Sequence, residues 1–259
     1  MPLERKIHGL KKDTPDERDL RFRKDYLKIS RFGQMLRAFV LPESVDLRSE
    51  PNAPVWNQGS IGSCADQALA ACMAHVAADQ GSGVQVYSRL FLYGNARGWV
   101  KEDTGSSLRD AIKGVDRHGA PLEVLWPYDL TKWQESPPPE VWDAALHRHE
   151  ISYYRLLTVE SMKMSLAYES KPFLFGVAIY DSFGCAGPDY LIPMPKSGDR
   201  LEGGHAMTIL GYDDVKQAWL VRNSWGPEWG DAGHCWIPYA YLADPDLFYD
   251  AWAIRKVTA

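Results

Sequence analysis

The chain has 259 residues, 45% of them hydrophobic and 24% charged, a composition typical of globular proteins. It excludes a coiled coil, a collagen-like chain and a disordered chain, and this length can hold one large core or two lobes that share one. The four cysteines are too few for a secreted disulfide framework, so we expect structural thiols or a reactive one.

The net charge of −5 is unevenly distributed along the chain. Residues 1–40 hold eleven Lys/Arg and six Asp/Glu, a net of +5, whereas residues 41–259 hold 18 and 28, a net of −10. This basic arm is either a solvated tail or a segment that docks onto the acidic body. Nucleic-acid binding is disfavoured because the body would repel phosphate. No apolar run has the length of a signal peptide or a membrane span, so we expect a cytoplasmic protein without membrane contact, with non-classical export left open.

The segment 64–80 is rich in alanine, contains no glycine or proline, and carries apolar residues at helical spacing. It is predicted to be a helix, and Ser63 at the end of a glycine-containing loop is its candidate N-cap. Cys64 therefore lies in the first helical turn. Further helices are predicted at 107–115 and 140–149, with the triple proline at 137–139 as a loop between two halves.

Beyond residue 150 the pattern changes to short β-branched and aromatic runs at 173–180, 205–212, 219–223 and 234–238. These runs predict strands, and residues 213–217 predict the loop of a hairpin. A helical first half followed by a strand-rich second half indicates an α+β fold.

One set of residues has the chemistry of a cysteine nucleophile. A helix N-terminus at Cys64 would lower the pKa of its thiol, because the positive end of the helix dipole favours the anion. The predicted hairpin would place His205 beside Asn223, whose amide would hold the imidazole in one tautomer. Gln58 would direct a side-chain N–H at the same point as the Cys64 backbone N–H, which suits a developing oxyanion.

Three blocks carry a family resemblance: Gln58-Gly-Ser-Ile-Gly-Ser-Cys64, Gly203-Gly-His-Ala-Met-Thr-Ile-Leu-Gly-Tyr212 and Asn223-Ser-Trp-Gly-Pro-Glu-Trp-Gly230. They resemble the signature blocks of the papain-like cysteine proteases, with suitable spacings of 141 residues from Cys to His and 18 from His to Asn. The Gly-Gly-His-Ala block is most similar to cathepsin B. The body is more similar to microbial members that lack a signal peptide and most disulfides.

The resemblance implies a peptidase domain at 41–259 with a two-lobe fold. The helical lobe would lie mainly at 60–149 and the strand-rich, barrel-like lobe mainly at 150–259, with a cleft between them. It implies a cysteine peptidase that hydrolyses peptide or protein substrates without a metal or organic cofactor. The implied catalytic residues are Cys64 as nucleophile, His205 as general acid/base, Asn223 as orienter and Gln58 as oxyanion donor. The implied substrate-binding residues are Gly105, Ser106, Gly203, Gly204 and Trp225, the last also shielding the His–Asn hydrogen bond.

The sequence departs from the family pattern in three respects. Ile61 stands where the family usually has a cysteine, so the corresponding disulfide is absent, and Ala65 replaces the usual aromatic residue. The paired-histidine insertion of cathepsin B is also missing, which predicts an endopeptidase. His147 and His149 would point apart on a helix, so we expect them to be solvated and not metal ligands.

The resemblance also gives residues 1–40 a role, since N-terminal extensions in this family commonly cover the cleft. The chain would then be a zymogen, with cleavage near residues 39–41 or an arm that stays in place. Two alternative functions remain open: transamidation or isopeptide cleavage with the same residues, and an inactive relative that binds peptides or inhibitors. The intact set of four chemical residues argues against the inactive relative.

The remaining cysteines receive different expectations. Cys72 and Cys235 lie in apolar surroundings and are expected in the core, whereas Cys185 in a glycine-containing loop is a second candidate for a reactive thiol. The resemblance places Tyr249 or Asp250 at the base of the pocket for the residue one before the cleaved one. An acidic base would admit basic side chains.

Overall fold

A computed structural model describes residues 9–22, 40–184 and 189–258. The helices are α1 (Cys64–Ala77), α2 (Arg89–Ala96), α3 (Leu108–His118), α4 (Pro139–Leu146), α5 (Val159–Glu169) and α6 (Tyr239–Ala243). The strands are β1 (Leu10–Lys11), β2 (Ser44–Asp46), β3 (Ser106–Ser107), β4 (Ile151–Arg155), β5 (Phe173–Tyr180), β6 (Leu201–Asp213), β7 (Ala218–Arg222), β8 (His234–Pro238) and β9 (Phe248–Val257). The α+β class is confirmed.

Helix α1 is buried along its entire length, which explains its composition. Its alanines let neighbouring elements approach closely, and its larger side chains pack against Leu174 of β5, Ala206 of β6 and Trp252 of β9. The predicted start at Cys64 is confirmed. The predicted end at residue 80 is wrong, because a π-helical turn follows at Ala78–Ser82 and Gly81 adopts a positive φ of 88° there.

The other helices begin at hydroxyl caps or at proline. Ser88 accepts from the Phe91 N–H before α2, Ser107 accepts from the Asp110 N–H before α3, and Thr158 forms a capping box before α5. Helix α4 begins at Pro139, where the missing N–H costs nothing. The sequence patterns predicted α3 and α4 but not α2 or α5. Gly94, a weak helix former, lies within α2, and the apolar residues of α5 are weakly segregated.

The main sheet is antiparallel, with strand order β4-β9-β5-β6-β7-β8 and β2 added against β6. Strands β5 and β8 have the predicted bounds, and β6 and β7 differ by a few residues. Within the described ranges β4 and β8 do not pair, so the sheet is open. The expected strand-rich lobe is thus present, as an open sheet and not a closed barrel in the described residues.

The hairpin of β6 and β7 brings distant positions together. Thr208 pairs with Arg222, and the turn lies at the predicted loop after Asp213. His205 on β6 and Asn223 just after β7 therefore lie on neighbouring strands. The hairpin predicted from the sequence therefore accounts for this juxtaposition.

The described part of the N-terminal arm runs along the junction between the helices and the sheet. Strand β1 pairs in parallel with β3, and Gly9 forms a bridge to Gly204 of β6. Further along the arm, the backbone of Arg21 forms an isolated β-bridge with the backbone of Arg155 on the edge strand β4. The arm thus contacts both sides of the junction.

Two large apolar clusters form the core, one under the sheet and one around α1. The largest buried side chains are aromatic, among them Trp219, Trp252 and Phe173. Among the helices of residues 9–22, 40–184 and 189–258, none combines the length and apolarity needed to cross a bilayer.

Phe173→Ala is expected to lower the free energy of unfolding by about 3–5 kcal/mol, because it removes a fully buried ring that packs edge-on against Trp219. Urea unfolding followed by tryptophan fluorescence measures the change. Val215→Ala, at a position 78% exposed in the β6–β7 loop, is the control and should shift stability by less than about 0.5 kcal/mol. Equal midpoints for both variants would contradict this account of the core.

Candidate active site

Cys64 is the first residue of α1, where the glycine-containing loop meets the helix. Ser63 occupies the N-cap position as predicted, but its side chain makes no capping hydrogen bond. Its hydroxyl instead lies 2.6 Å from the Tyr128 hydroxyl, which in turn donates to the Gln58 carbonyl oxygen at 2.9 Å. Tyr128 therefore ties the loop before the nucleophile to the helical side of the protein. No motif in the sequence pointed to this residue.

The structure brings His205 and Asn223 together as the sequence predicted. The His205 Nε2 atom lies 2.8 Å from Asn223 Oδ1, and both side chains are buried. Because Asn223 Oδ1 also accepts from the Ser224 backbone N–H, it faces Nε2 as an acceptor. The neutral ring therefore carries its proton on Nε2, which leaves Nδ1 as the nitrogen that can exchange a proton.

The Trp225 ring lies over the His205 imidazole. The two rings are stacked, with ring centroids 4.8 Å apart and planes 26° from parallel. Trp229 and Phe183 pack edge-on against Trp225 and hold it in place. Water is thereby kept away from one face of the imidazole.

The Gln58 side-chain amide is completely buried and is held at both ends. Its Nε2 donates to the Ile61 carbonyl oxygen at 3.0 Å, and its Oε1 accepts from the Ser224 hydroxyl at 2.7 Å. Since an amide nitrogen has two hydrogens, one donor remains for another acceptor. Ser224 thus links Gln58 to the segment that follows Asn223, a connection the sequence analysis missed although Ser224 lies within a quoted block.

The arm fills the cleft beside Cys64. The Ser106 backbone N–H donates to the Gly9 carbonyl oxygen at 3.0 Å, and Gly105 adopts a positive φ of 64° beside it. A Cβ atom on Gly9 would lie 2.7 Å from Gly62 Cα and 2.9 Å from Gly105 Cα. Only glycine fits at this crossing, because the neighbours are backbone atoms that cannot move aside.

The side chain of Leu10 enters a pocket next to this crossing and is only 8% exposed. Gly176 and Gly204 form its walls, since a Cβ on either would meet Leu10 atoms, and Tyr249 lies against the same space. Gly203 lies one residue before this wall, at a φ of 142°. The glycines predicted at the cleft therefore lie beside the arm.

Tyr249 lines this pocket, whereas Asp250 is engaged elsewhere. Asp250 pairs with the Arg155 guanidinium and accepts from the Asp13 backbone N–H at 2.9 Å. The idea of an acidic base that selects basic side chains is therefore wrong for Asp250, because that carboxylate is already neutralised.

The pKa of the Cys64 thiol is raised to about 11, opposite to the expected lowering. Burial is the main cause, since the side chain is fully enclosed once Gly9 lies over it. Backbone hydrogen bonds from Ala206, Gly9 and Ala65 favour the thiolate but do not outweigh this burial. The helix dipole predicts a lowered pKa only for a helix end that is open to solvent, and the arm closes this one.

A second buried acid, Asp66, lies two residues beyond Cys64 and was not singled out from the sequence. Burial raises the pKa of this carboxyl to about 7, although a hydrogen bond from Ser106 opposes the shift. The Ser106 hydroxyl donates to Asp66 Oδ2 at 3.0 Å, and Oδ1 has no hydrogen-bond partner among the described residues. Asp66 thus holds the strand residue whose N–H binds the arm.

Acidic side chains supply the ion pairs between the described part of the arm and the body, whereas the Lys12 ammonium lies over the Tyr249 ring, 5.2 Å from its centroid. Asp19 forms ion pairs with Arg109 at 2.6 Å and Arg155 at 3.1 Å, and Asp13 accepts from the Trp252 indole N–H at 2.9 Å. In the described part of the arm, Arg18 pairs with Asp16 of the arm itself. At these contacts the arm supplies the acidic partner and the body the basic one. The expectation that a basic arm docks on an acidic body is therefore wrong for these ion pairs. Net charge does not reveal which charges meet.

The other candidate residues have simpler outcomes. Cys72 and Cys235 are fully buried free thiols, as predicted, while Cys185 lies outside the described residues. Across the three described ranges, no group of three or more His, Cys, Asp or Glu side chains is arranged to hold a metal ion.

Comparison with known proteins identifies the family. The model of the papain family of cysteine proteases matches residues 41–241. An uncharacterised peptidase C1-like protein, L477 of Acanthamoeba polyphaga mimivirus, is 31% identical, with 96% of this chain and 87% of that protein covered. The crystal structure of xylellain, a cysteine protease from Xylella fastidiosa, superimposes with a TM-score of 0.84 at 32% identity over 99% of both chains.

A digestive procathepsin L 3 from Tenebrio molitor larval midgut shares the fold, with a TM-score of 0.69 at 19% identity over 96% of this chain and 77% of that one. The chain belongs to the papain family of cysteine proteases. It is a papain-like thiol protease, a hydrolase of peptide or protein substrates.

Gly9→Leu is expected to lower the pKa of the Cys64 thiol, because a side chain at this position clashes with backbone on both sides and displaces the arm. Alkylation of Cys64 by iodoacetamide, mapped by mass spectrometry from pH 5 to 12, measures the midpoint. In the unaltered chain it should lie near 11. In the variant it should move toward the range below about 8 that is typical of helix N-termini.

The variant should therefore react at least about tenfold faster at pH 8, since each unit of pKa changes the thiolate fraction tenfold. Cys72 and Cys235 are internal controls and should stay unlabelled while the protein is folded. An unchanged midpoint in a folded Gly9→Leu chain would mean that the arm does not cause the shift.

Proposed function

We propose that this cysteine peptidase acts through Cys64 as nucleophile and His205 as general acid/base. The Cys64 thiol transfers its proton to His205, and the sulfur attacks the carbonyl carbon of the scissile peptide bond. Asn223 keeps the imidazole oriented throughout, and the Trp225 ring keeps water from the hydrogen bond between them. His205 then gives its proton to the leaving amine, so that the C–N bond breaks and a thioester remains.

The oxyanion of each tetrahedral intermediate would be stabilised by the Cys64 backbone N–H and the free hydrogen of Gln58 Nε2. Support comes from the rigidity of the Gln58 amide, which Ile61 and Ser224 hold at both ends. Donors held in advance cost no reorganisation during the reaction. A water molecule, deprotonated by His205, then attacks the thioester, and the carboxylic acid product leaves as the thiol re-forms.

The observation that carries this proposal is the His205–Asn223 hydrogen bond of 2.8 Å, buried under a stacked Trp225 beside a cysteine at a helix start. A histidine that merely filled the core would need neither an orienting amide nor a covering indole. Both features are those of an imidazole that changes its charge during a reaction.

Cys64→Ala is expected to abolish peptide hydrolysis, with a fall of at least about a thousandfold in kcat/KM, since no other group supplies the nucleophile. Cleavage of a fluorogenic peptide library provides the measurement, with Cys64→Ala and its controls all made in the purified Gly9→Leu chain, whose cleft is open. Cys72→Ala and Cys235→Ala are the controls and should retain activity in the folded protein. Measurable turnover by Cys64→Ala would refute the assignment, and in the Gly9→Leu chain, where the arm is displaced, a thiol-directed epoxide should label Cys64 before Cys72, Cys185 or Cys235.

We further propose that residues 1–40 form an autoinhibitory arm on a peptidase unit at 41–259. The position of Gly9 over Cys64 and of Leu10 in the adjacent pocket supports this proposal, because a substrate would need the same space. The parallel pairing of β1 with β3 uses the Ser106 N–H that an extended substrate would need. Val40, where the arm ends, is 78% exposed, which suits cleavage near residues 39–41.

The full chain carrying Gly9→Leu is expected to hydrolyse peptides at least about tenfold faster than the unaltered chain, which corresponds to about 1.4 kcal/mol of lost docking free energy. Initial rates are measured while gel electrophoresis shows both chains intact. Glu17→Ala, at an exposed arm position, is the matched control and should leave the rate low. Equal rates for the unaltered chain, Gly9→Leu and a folded chain that starts at Leu41 would rule out autoinhibition.

A further inference from the structure

Beyond the pocket that holds Leu10, the body carries two adjacent sites that hold carboxylates. The first site surrounds Asp13, an arm residue that is only 6% exposed. Asp13 Oδ2 accepts from the Trp252 indole N–H at 2.9 Å, and Oδ1 accepts from the Arg109 backbone N–H at 3.2 Å. That N–H belongs to the first turn of α3 and has no partner within the helix.

The second site surrounds Asp19, whose side chain is also 6% exposed. The Arg109 guanidinium grips it with two nitrogens, at 2.6 Å and 3.2 Å, and Arg155 adds a contact of 3.1 Å. Two parallel, charge-assisted N–H donors from one guanidinium hold a carboxylate more strongly and more specifically than neutral donors do. The two sites share Arg109 and so form one surface.

The partners of this surface lie in the arm. In the described residues, every hydrogen-bond acceptor of the Arg109 side chain belongs to the arm, namely Asp19 and the Thr14 carbonyl oxygen. Arg155 keeps Asp250 as a partner on the body. When the arm leaves, two guanidiniums therefore face one carboxylate, and the surface has an excess of positive charge.

Its position relates this surface to the cleft. Asp13 lies three residues beyond Leu10, a span of at most about 10 Å in an extended chain, on the side away from Cys64. By the family resemblance, the Leu10 pocket takes the residue one before the cleaved one. A substrate seated there would extend its N-terminal part toward Arg109 and Trp252.

We propose that the surface formed by Arg109, Arg155 and Trp252, which the arm covers, is a docking site for an acidic segment of the protein substrate, a few residues to the N-terminal side of the residue in the Leu10 pocket. This inference rests on the proposed cleft and adds a preference to it. The arm occupies the site with the chemistry that a substrate would use: one carboxylate between an indole N–H and a helix N–H, and a second carboxylate in a guanidinium fork. The surface of Arg109, Arg155 and Trp252 would then both hold the arm and select acidic substrates.

The test uses the full chain with Gly9→Leu, Asp13→Ala and Asp19→Ala, which disables the arm and leaves every body residue intact. The substrates are internally quenched peptides with leucine for the pocket and aspartate, asparagine or lysine at one position, two to nine residues to its N-terminal side, so that they reach the places of both Asp13 and Asp19. At one or two of these positions aspartate should raise kcat/KM about tenfold over asparagine, as one charge-assisted pair provides. This ratio should fall as salt rises from 50 to 500 mM.

Arg109→Gln in this background should bring the aspartate-to-asparagine ratio close to one, and Arg109→Lys should restore part of it because the charge remains without the fork. Arg117→Gln, on an exposed part of the same helix, is the matched control and should keep the full ratio. Equal cleavage of aspartate and asparagine peptides at every position would overturn the inference, as would a preference that survives Arg109→Gln.

Adding Cys64→Ala separates this inference from the proposed mechanism. Fluorescence anisotropy with the same peptides then measures binding without cleavage, and the aspartate peptide should bind about tenfold more tightly than its asparagine counterpart. Such a difference supports the docking site whether or not Cys64 proves to be the nucleophile. Equal affinities overturn the docking site and leave the mechanism standing.

Discussion

The complete burial of helix α1 is the constraint on which the rest of the structure depends. Its alanines let β5, β6 and β9 pass close by on one side, while the helical part of the chain packs on the other. A helix packed so closely cannot shift without opening cavities on all sides. Its first residue, Cys64, is therefore fixed at the junction of the two halves, and every group of the site is placed relative to that point.

The groups around Cys64 are held by short polar contacts between segments that lie far apart in the chain. Ser224 connects the Gln58 amide to Asn223, because its hydroxyl donates to Gln58 and its backbone N–H donates to Asn223, and Tyr128 connects the same loop to the helical side. In a water-poor interior such hydrogen bonds are strong and a missing partner is costly, so the network admits few alternative arrangements. This pre-organisation is what a developing oxyanion and an imidazolium require.

The arm illustrates how local geometry, and not net charge, decides an intramolecular contact. The first 40 residues are basic overall, yet the described part is anchored by Asp13 and Asp19 against Arg109, Arg155 and Trp252. Glycine at position 9 lets the chain cross between two backbone walls, and Leu10 fills an apolar pocket beside it. The same burial raises the pKa of the Cys64 thiol, so that the covered site is also chemically quiet.

The sequence by itself determined the α+β class, the start of α1, most of the strands from β5 onward, and the roles expected of Cys64, His205, Asn223 and Gln58. These features follow from short-range patterns: alanine-rich periodicity, alternation, turn residues and compact motifs. Only the tertiary structure decided that the sheet is open, that Asp250 pairs with Arg155, that Tyr128, Ser224 and Asp66 support the site, and that acidic arm residues meet basic body residues. Each of these depends on which distant side chains meet and on how much water their meeting excludes, and neither quantity is encoded in local spacing.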